Sequence, residues 1–394
     1  MGGGQPDREH VVAARVAVED DRNRHSRPPC AGKFHAIVYL PGRLPPGFLV
    51  ERPREVRSVK SNVTLAEVAA GAGVSIATAS RALAGKPRVS REMVDRVRVV
   101  AAELGYRVDP IARALRDGSS RLVGMIVPVI SIPFYSQLID AVEEELGRVG
   151  FELLLADSHG FVDEEVRRLR VMGDRRVDGV LVVVADRTAS MPSIVNLPDE
   201  IPVVLVDRAT DRPVADFVGV DNEVGLELVF EHLVEQGVTS VGYAGTDDAT
   251  TSGVERWQSF HRLARRHDIQ VGATFRSEFS VESGLSAAEH LCAAGPLPDA
   301  IVAGSDQIAV GLIARLREKG FNVPDDVLVT GFDGGELSRV YWPTLTTVVQ
   351  PLSSIAAEAV GLLIARIEGG TGALRRNRLT PELQIGGSAS RGAN

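Results

Sequence analysis

The residues best suited to chemistry are basic, and they cluster near one end of the chain. Residues 60 to 121 hold eleven Lys and Arg (Lys60, Arg81, Lys86, Arg88, Arg91, Arg96, Arg98, Arg107, Arg113, Arg116 and Arg121) against six acids, a net of +5, while the whole chain of 394 residues stands at -8. A basic module on an acidic body is what phosphate binding requires. Other chemistries lack their residues. Neither G-x-G-x-x-G nor G-x-x-x-x-G-K-[ST] follows any apolar run, so dinucleotide and P-loop enzymes lack their fingerprints. Asp157-Ser158-His159 has the residue types of a catalytic triad. Neighbours in sequence do not readily converge, however, and a loop at a strand end accounts for them better. The two cysteines, Cys30 and Cys292, stand in unrelated contexts and the eight histidines show no ligand spacing. No disulfide framework, metal site, cofactor or catalytic residue is therefore expected.

The elements that must position the basic module are short helices. Thr64 is followed three places on by Glu67, a pairing that caps a helix start reciprocally. Leu65, Val68 and Ala69 give that helix an apolar face, and Gly71-Ala72-Gly73 stops it. Ser75 can cap a second helix, Ile76 to Leu83, which carries Arg81 and small polar residues, with Ala79 and Leu83 expected to face inward. Two short helices joined by a glycine-containing turn make the helix-turn-helix pattern, whose second helix enters the major groove of DNA. A third helix after Ser90, with Val94, Val97, Ala101 and Leu104 at helical spacing, closes a three-helix core.

Length predicts two or three domains, and 44% hydrophobic residues suffice for a substantial core. No apolar run approaches a membrane span of about 20 residues. Val11 to Val18 is broken by Arg15 and does not make a signal peptide, so the cytoplasm is expected. Residues 1 to 60 are rich in Gly, Pro and Arg and read as a disordered leader, in which Phe34 to Leu40 is at most an isolated strand. Either Val59 or Val63 could mark the native start, which would leave the leader outside the native protein.

From Arg121 onward, apolar runs alternate with helical segments. Leu122 to Val127, Phe151 to Ala156, Gly179 to Val184, Val203 to Val206 and Val218 to Val220 form one series; Ser240 to Ala244, Ala300 to Ala303 and Val327 to Thr330 form another. Continuous apolar runs fit strands covered on both faces, so two parallel sheets with flanking helices are expected, in two lobes. Ligands in such lobes sit beyond the carboxyl ends of the strands, which between two lobes is a cleft.

Over roughly residues 63 to 390 the sequence resembles the lactose-repressor/galactose-repressor (LacI/GalR) family of bacterial transcription regulators. The resemblance is carried by V-T-L-A-E-V-A-A-G-A-G-V-S-I-A-T-A-S-R-A-L, V-S-R-E, L-G-Y, I-A-R-A-L, I-P-F-Y, R-V-D-G-V, V-D-R, V-G-V-D-N, S-D-Q-I-A-V-G, L-V-T-G-F-D and L-T-T-V-V-Q-P, in that order. It implies an α/β protein. A helix-turn-helix DNA-binding domain (61–107) is followed by a hinge helix and linker (108–120). A two-lobed, periplasmic-binding-protein-like domain for effector binding and dimerisation (121–394) completes it, with an N-lobe of about 121–220 and 350–377 and a C-lobe of about 221–349 and 378–394.

By matching position, Ile76, Ala77 and Arg81 meet base edges. Arg81 could bond a guanine's O6 and N7 together, while the other two offer only apolar contacts. Thr64, Ser75, Thr78, Ser80 and Tyr106 match phosphate contacts, although capping alone accounts for the hydroxyls nearly as well. Asp109 to Leu115 resembles the family's hinge helix, too short to hold in water and expected to fold on DNA. Ala112 and Leu115 would then enter the minor groove, with Leu115 as a wedge, or Leu115 is an ordinary linker hydrophobe. Matching places the effector near Ser131, Phe134, Asp157, Asp207, Arg256, Phe279, Asp306 and Asp333, with carboxylates and Arg for hydroxyls and Phe279 as a ring platform. Asp207-Arg208 also reads as a surface pair, and Asp306 as a helix cap. Ser259 and Gly386 depart from the family, which usually shows glycine and arginine there.

The reading is a ligand-responsive regulator, a repressor of a carbohydrate or nucleoside operon. Its partners are operator DNA, a small polar effector and a second copy of the chain. A tetramer stays open, although no heptad repeat follows Gly369. The competing classes are a sugar receptor, which would need an export signal and no basic helical module, and an enzyme acting on sugars or nucleosides.

Overall fold

A computed structural model describes residues 63–83, 89–106, 119–198 and 200–391. The leader and the hinge segment, with Ala112 and Leu115, lie outside the described residues. The chain divides into two units, up to Arg107 and from Val108 onward.

The first unit holds α1 (Leu65–Gly71), α2 (Ile76–Leu83) and α3 (Arg91–Leu104). The capping box forms: Thr64 Oγ1 accepts from the Glu67 amide at 3.3 Å, and the Glu67 carboxylate accepts from the Thr64 amide at 2.7 Å. Val68, Ala69, Ala72, Ala79, Ala82, Val97 and Ala101 make the core, so mostly alanine methyls separate the helices. The inward pair on α2 is therefore Ala79 and Ala82 rather than Ala79 and Leu83, which is half-buried at the rim. The two turn glycines divide the work. Gly73 adopts φ 67°, a value glycine reaches without strain, whereas a Cβ on Gly71 would lie 2.8 Å from Val100 Cγ1 on α3.

The second unit is built on two six-stranded sheets. In chain order the elements of the first are β1 (Leu122–Val127), α4 (Pro133–Arg148), β2 (Glu152–Asp157), α5 (Val162–Asp174), β3 (Gly179–Val182), α6 (Met191–Val195), β4 (Val203–Val206) and β5 (Asp216–Val220). The second adds α7 (Asn222–Glu235), β6 (Ser240–Thr246), α8 (Thr251–Arg266), β7 (Gln270–Ser277), α9 (Val281–Ala294), β8 (Ala300–Ala303), α10 (Asp306–Glu318), β9 (Leu328–Asp333), α11 (Leu337–Val340) and β10 (Thr346–Val349). The chain then returns through α12 (Leu352–Ile367) and β11 (Arg376–Leu379) before ending near β12 (Glu382–Gln384). The strand orders are β11-β5-β4-β3-β1-β2 and β12-β10-β9-β8-β6-β7. All pairings are parallel except β12 on β10.

Each sheet is thus the same five-strand pattern with a late strand added at its edge. Because β11 pairs with β5 as far as Leu379, the last crossing between lobes falls after Leu379 rather than at the expected 377/378 boundary. The lobes also share an anchor. Asp178, just before β3, accepts from the amides of Ser120 and Arg121 at 2.8 and 2.9 Å, and Asp299, just before β8, accepts from the amides of Thr239 and Ser240 at 2.8 and 3.0 Å. In both lobes a carboxylate pins the residues that lead into the first strand.

Gly386 has its own explanation. A Cβ there would lie 2.5 Å from Leu345 O, and its amide and carbonyl both bond Thr346 Oγ1, so no arginine fits without moving backbone. Ser259 is buried and accepts from Arg262 at 3.1 Å.

Helices α9 and α10 cross closely: a Cβ on Gly284 would lie 2.2 Å from Ile308 O and one on Gly311 2.1 Å from Val281 O. Backbone cannot yield cheaply, so Gly284→Ala or Gly311→Ala should each cost about 1–3 kcal/mol. Differential scanning calorimetry should show melting several degrees lower; unchanged melting in both variants would contradict the crossing geometry.

Candidate functional site

On the first unit the second helix presents a reading face. Ile76 is 55% exposed, and Ala77 and Arg81 are exposed beside it. Arg81 Nε donates to Ala77 O at 3.1 Å, so the side chain lies along its own helix. Ser75 caps α2, accepting from the Thr78 amide at 3.1 Å, and the two hydroxyls sit 2.9 Å apart. Thr64 Oγ1 also donates to Glu67 Oε2 at 2.9 Å, and these bonds hold the exposed Glu67 carboxyl below its usual range. The Thr64 hydroxyl is thus fully engaged, and a phosphate would have to displace Glu67. Thr78, Ser80 and Tyr106 are half-buried, Tyr106 against the three-helix core.

On the second unit a cavity opens between the two sheets' carboxyl ends, where ligands sit in parallel α/β sheets. Phe134, Asp207, Arg256, Phe279 and Asp333 line it. Three other expected residues do not. Asp157 accepts from the amides of Ile130 at 3.0 Å and His159 at 2.6 Å, so it braces the loops at the ends of β1 and β2. Ser131 stands exposed on the first of those loops. Asp306 accepts from Gly334 and Gly335 amides at 3.0 and 3.2 Å and from Thr347 Oγ1, so it shapes the turn that carries Asp333. It is not the cap of α10, a role taken by Ser305, which accepts from the Ile308 amide at 3.3 Å.

The cavity also brings in residues that matching missed: Ile132, Tyr135, Arg208, Ser252, Ser305, Gln307 and Gln350. Several follow a strand by one or two places or open a helix, and that position was the available signal. Asp207 and Arg208 are 8% and 7% exposed, so they are not a surface pair.

The centre of the cleft is a buried charge cluster. Arg256 gives Nε to Asn222 Oδ1 at 2.8 Å and Nη1 to Gly304 O at 2.6 Å, lies 3.5 Å over the Phe332 ring, and faces Asp333 at 3.9 Å. Burial, with Asp306 and Asp207 nearby, pushes the Asp333 carboxyl well above the usual carboxylate range against the pull of Arg256. Burial likewise raises Asp207, opposed first by Arg208 and then by Arg256. Tyr135 donates to Asp207 at 3.4 Å, and Gln350 Nε2 donates to Asp333 at 3.0 Å. Both aspartates have positive φ, 64° and 130°, a strained backbone that aims carboxylates off the strand ends.

In the triad-like run His159 Nδ1 lies 3.3 Å from Asp157 Oδ1, but Ser158 is turned away from both. Ser158 Oγ is buried and donates to Val127 O, while His159 is exposed. Among the described residues no helix is long and apolar enough to cross a membrane.

Residues 64–109 match the model of the lacI family of bacterial regulatory proteins, and residues 230–389 match a periplasmic binding protein-like domain. The HTH-type transcriptional repressor PurR of Vibrio campbellii is 29% identical over 324 residues, covering 82% of this chain and 97% of the relative. The ribose operon repressor of Halalkalibacterium halodurans is 30% identical over 305 residues, covering 77% and 90%. Among solved structures, the Lac repressor dimer bound to operator and the anti-inducer ONPF superposes with a TM-score of 0.77 at 25% identity, covering 83% of this chain and 99% of that one. The transcriptional regulator CelR in complex with cellobiose gives 0.63 at 28% identity, covering 83% and 100%.

The raised carboxyl of Asp333 has a measurable sign. The unfolded chain loses this proton in the ordinary carboxylate range, whereas the folded protein keeps it to higher pH. Folding stability from this group is therefore present at low pH and lost as pH rises through that window. Asp333→Asn, which cannot ionise, should gain stability relative to the parent as pH is raised from about 4 toward neutrality. Urea unfolding at several pH values checks this; a difference between the two proteins that does not change with pH would refute it.

Proposed function

Because this chain belongs to the LacI family of bacterial regulatory proteins, we propose that it is a repressor whose grip on operator DNA is set by a small polar effector held between the lobes. The observation that carries the reading is the pairing, on one chain, of an exposed helix bearing Arg81 with a closed-in cleft of buried Asp, Arg and aromatic side chains. The first suits reading DNA, the second suits binding a small polar molecule, and neither requires catalysis.

Arg81 is the base-reading cation, with Ile76 and Ala77 beside it for apolar contact. Ser75, Thr78, Ser80 and Tyr106 position the unit on phosphates, and Thr64 does so through its backbone end of the helix. Ala112 and Leu115 enter the minor groove from the hinge. Two copies of the chain place two readers on a near-palindromic site, and the protein works in the cytoplasm. The effector is of the sugar or nucleoside type, contacted by Phe134, Asp207, Arg256, Phe279 and Asp333. Asp157 and Asp306 act one layer back, on the loops that carry the contacts. Effector and DNA affinities are linked by one coupling free energy, so whatever the effector does to operator binding, operator does equally to effector binding.

Footprinting on the DNA flanking its own gene would find the operator, and fluorescence anisotropy would then measure affinity. Arg81→Ala should lose about 1–3 kcal/mol of operator binding, with a smaller loss on unrelated DNA. Leu115→Ser should weaken operator binding strongly and unrelated DNA little, because a wedge acts only where the duplex is kinked. Equal losses on both DNAs would remove the reading roles from these two residues.

A further inference from the structure

We infer that Arg187 is a positioning residue for the cleft: it clasps the two lobes together at the side away from their crossovers, from outside the residues that line the cavity. The inference goes beyond the regulator reading and concerns the effector unit alone.

The chain passes between the lobes three times, after β5, after β10 and after β11. Strands β5 and β11 are neighbours at one edge of the first sheet, and β10 and β12 are neighbours at one edge of the second. On this side a further tie spans the lobes, since Arg378 on β11 gives Nη1 to one Glu255 oxygen on α8 at 2.8 Å and Nη2 to the other. Arg187 lies elsewhere. It follows β3, two strands in from β5, and reaches the loop after β6, three strands in from β10. At about 4.8 Å per strand these are arms of about 10 and 14 Å. A contact so far from the crossovers resists opening of the gap more than one beside them.

Arg187 makes three bonds at once. Its amide donates to Ala249 O at 2.8 Å and its Nε to Asp248 O at 2.7 Å, both across the gap, while Nη1 pairs with Asp211 of its own lobe. A second bond crosses beside it, from the Ala209 amide to Thr251 Oγ1 at 2.9 Å. Both partners are held from behind. In the first lobe the buried Glu165 carboxylate accepts from the Ala185 amide at 2.8 Å, Ser190 Oγ at 3.1 Å and Ser193 Oγ at 3.0 Å. Asp186 accepts from the amides of Thr188 and Ala189 at 2.8 and 2.7 Å. In the second lobe Arg276 donates to Thr246 O at 2.7 Å and to the Asp248 carboxylate. A prong and a socket fixed in this way lose little freedom on meeting.

Arg187, Asp211, Asp248 and Ala249 are not among the residues that line the cavity. The clasp therefore favours the closed gap by the same amount whatever molecule the lining holds, and it sets the balance on which a ligand acts.

Spin labels on the full-length chain test this. Asp163, in the first turn of α5 after β2, and Glu282, in the first turn of α9 after β7, are exposed at the sheet edges farthest from the crossovers. Cysteines are placed at these two positions, with Cys30 and Cys292 replaced by serine. A small share of labelled chain is mixed with unlabelled protein, so that pulsed dipolar electron resonance reads the distance within one copy. Arg187→Ala should add a longer-distance population to the parental one. It should also speed hydrogen exchange of the Ala209 amide, which bonds across the gap from another loop, by about tenfold or more. The Asp221 amide, which bonds Leu379 O at 2.8 Å beside the crossovers, should keep its parental rate. Arg187→Lys, which keeps the charge toward Asp211 but not the Nε donor, should stand between parent and Arg187→Ala. Circular-dichroism melting of each variant shows whether it is folded.

Parental distances in a folded Arg187→Ala overturn the proposal. So does a gain in exchange at Asp221 equal to that at Ala209, because that is loosening of the whole unit rather than opening at one side. If Arg187→Ala does not fold, the same two outcomes are read on Arg187→Lys. Operator binding is measured alongside. A longer-distance population with unchanged operator affinity supports the clasp and removes lobe control from the regulator reading, whereas altered operator affinity at parental distances overturns the clasp and leaves that reading standing.

Discussion

The effector unit depends on one constraint: oppositely charged side chains buried at strand ends must balance one another across a gap. Asp207 and Arg208 come from the end of β4, Arg256 from α8 and Asp333 from the end of β9. Asp207 feels Arg256 across the cleft as well as Arg208 beside it, and Asp333 feels both Arg256 and Asp207. None of these charges would be tolerated at this depth alone. The carboxylates are held at positive φ, Arg256 is fixed by Asn222 and Gly304, and Asp306 shapes the turn that carries Asp333. The scaffold thus spends stability to keep polar groups buried and aimed at the gap.

The parts of this arrangement that were legible in the sequence are those set by local physics. Thr64 with Glu67 and Ser75 with Thr78 form the caps their spacing predicts, because a cap is settled within one helical turn. Most strands covered on both faces announced themselves as apolar runs, whereas β10, which opens on two threonines, did not. Strand β7 did not, since Gln270–Ser277 lies at a sheet edge, is only partly buried, and mixes polar with apolar residues. Ser131, Asp157 and Asp306 fall outside the lining for a different reason. Sequence places a residue at a strand end, but whether its carboxylate points into the gap or back onto a neighbouring loop depends on backbone amides that the fold brings near: Ile130 for Asp157, and Gly334 and Gly335 for Asp306. Arg208 was ambiguous for the same reason, because its burial comes from Tyr135 and Phe279, distant in sequence.

The duplicated anchor at Asp178 and Asp299 ties the start of each lobe's first strand to its neighbour in the sheet. Strand β1 begins at residues whose amides Asp178 holds, and it ends at a loop whose Ile130 amide Asp157 holds. Its six residues span about 20 Å and are paired in parallel register on both sides, so the strand cannot slide without breaking two ladders. The strand thus ties the loops at the cleft end to residues 119–121. In the other lobe, the same clamp between Asp299 and residues 239–240 stabilises the start of β6, where only the loop after α7 precedes it. The same tie thus recurs in both lobes, and in the first it holds the residues that lead into β1.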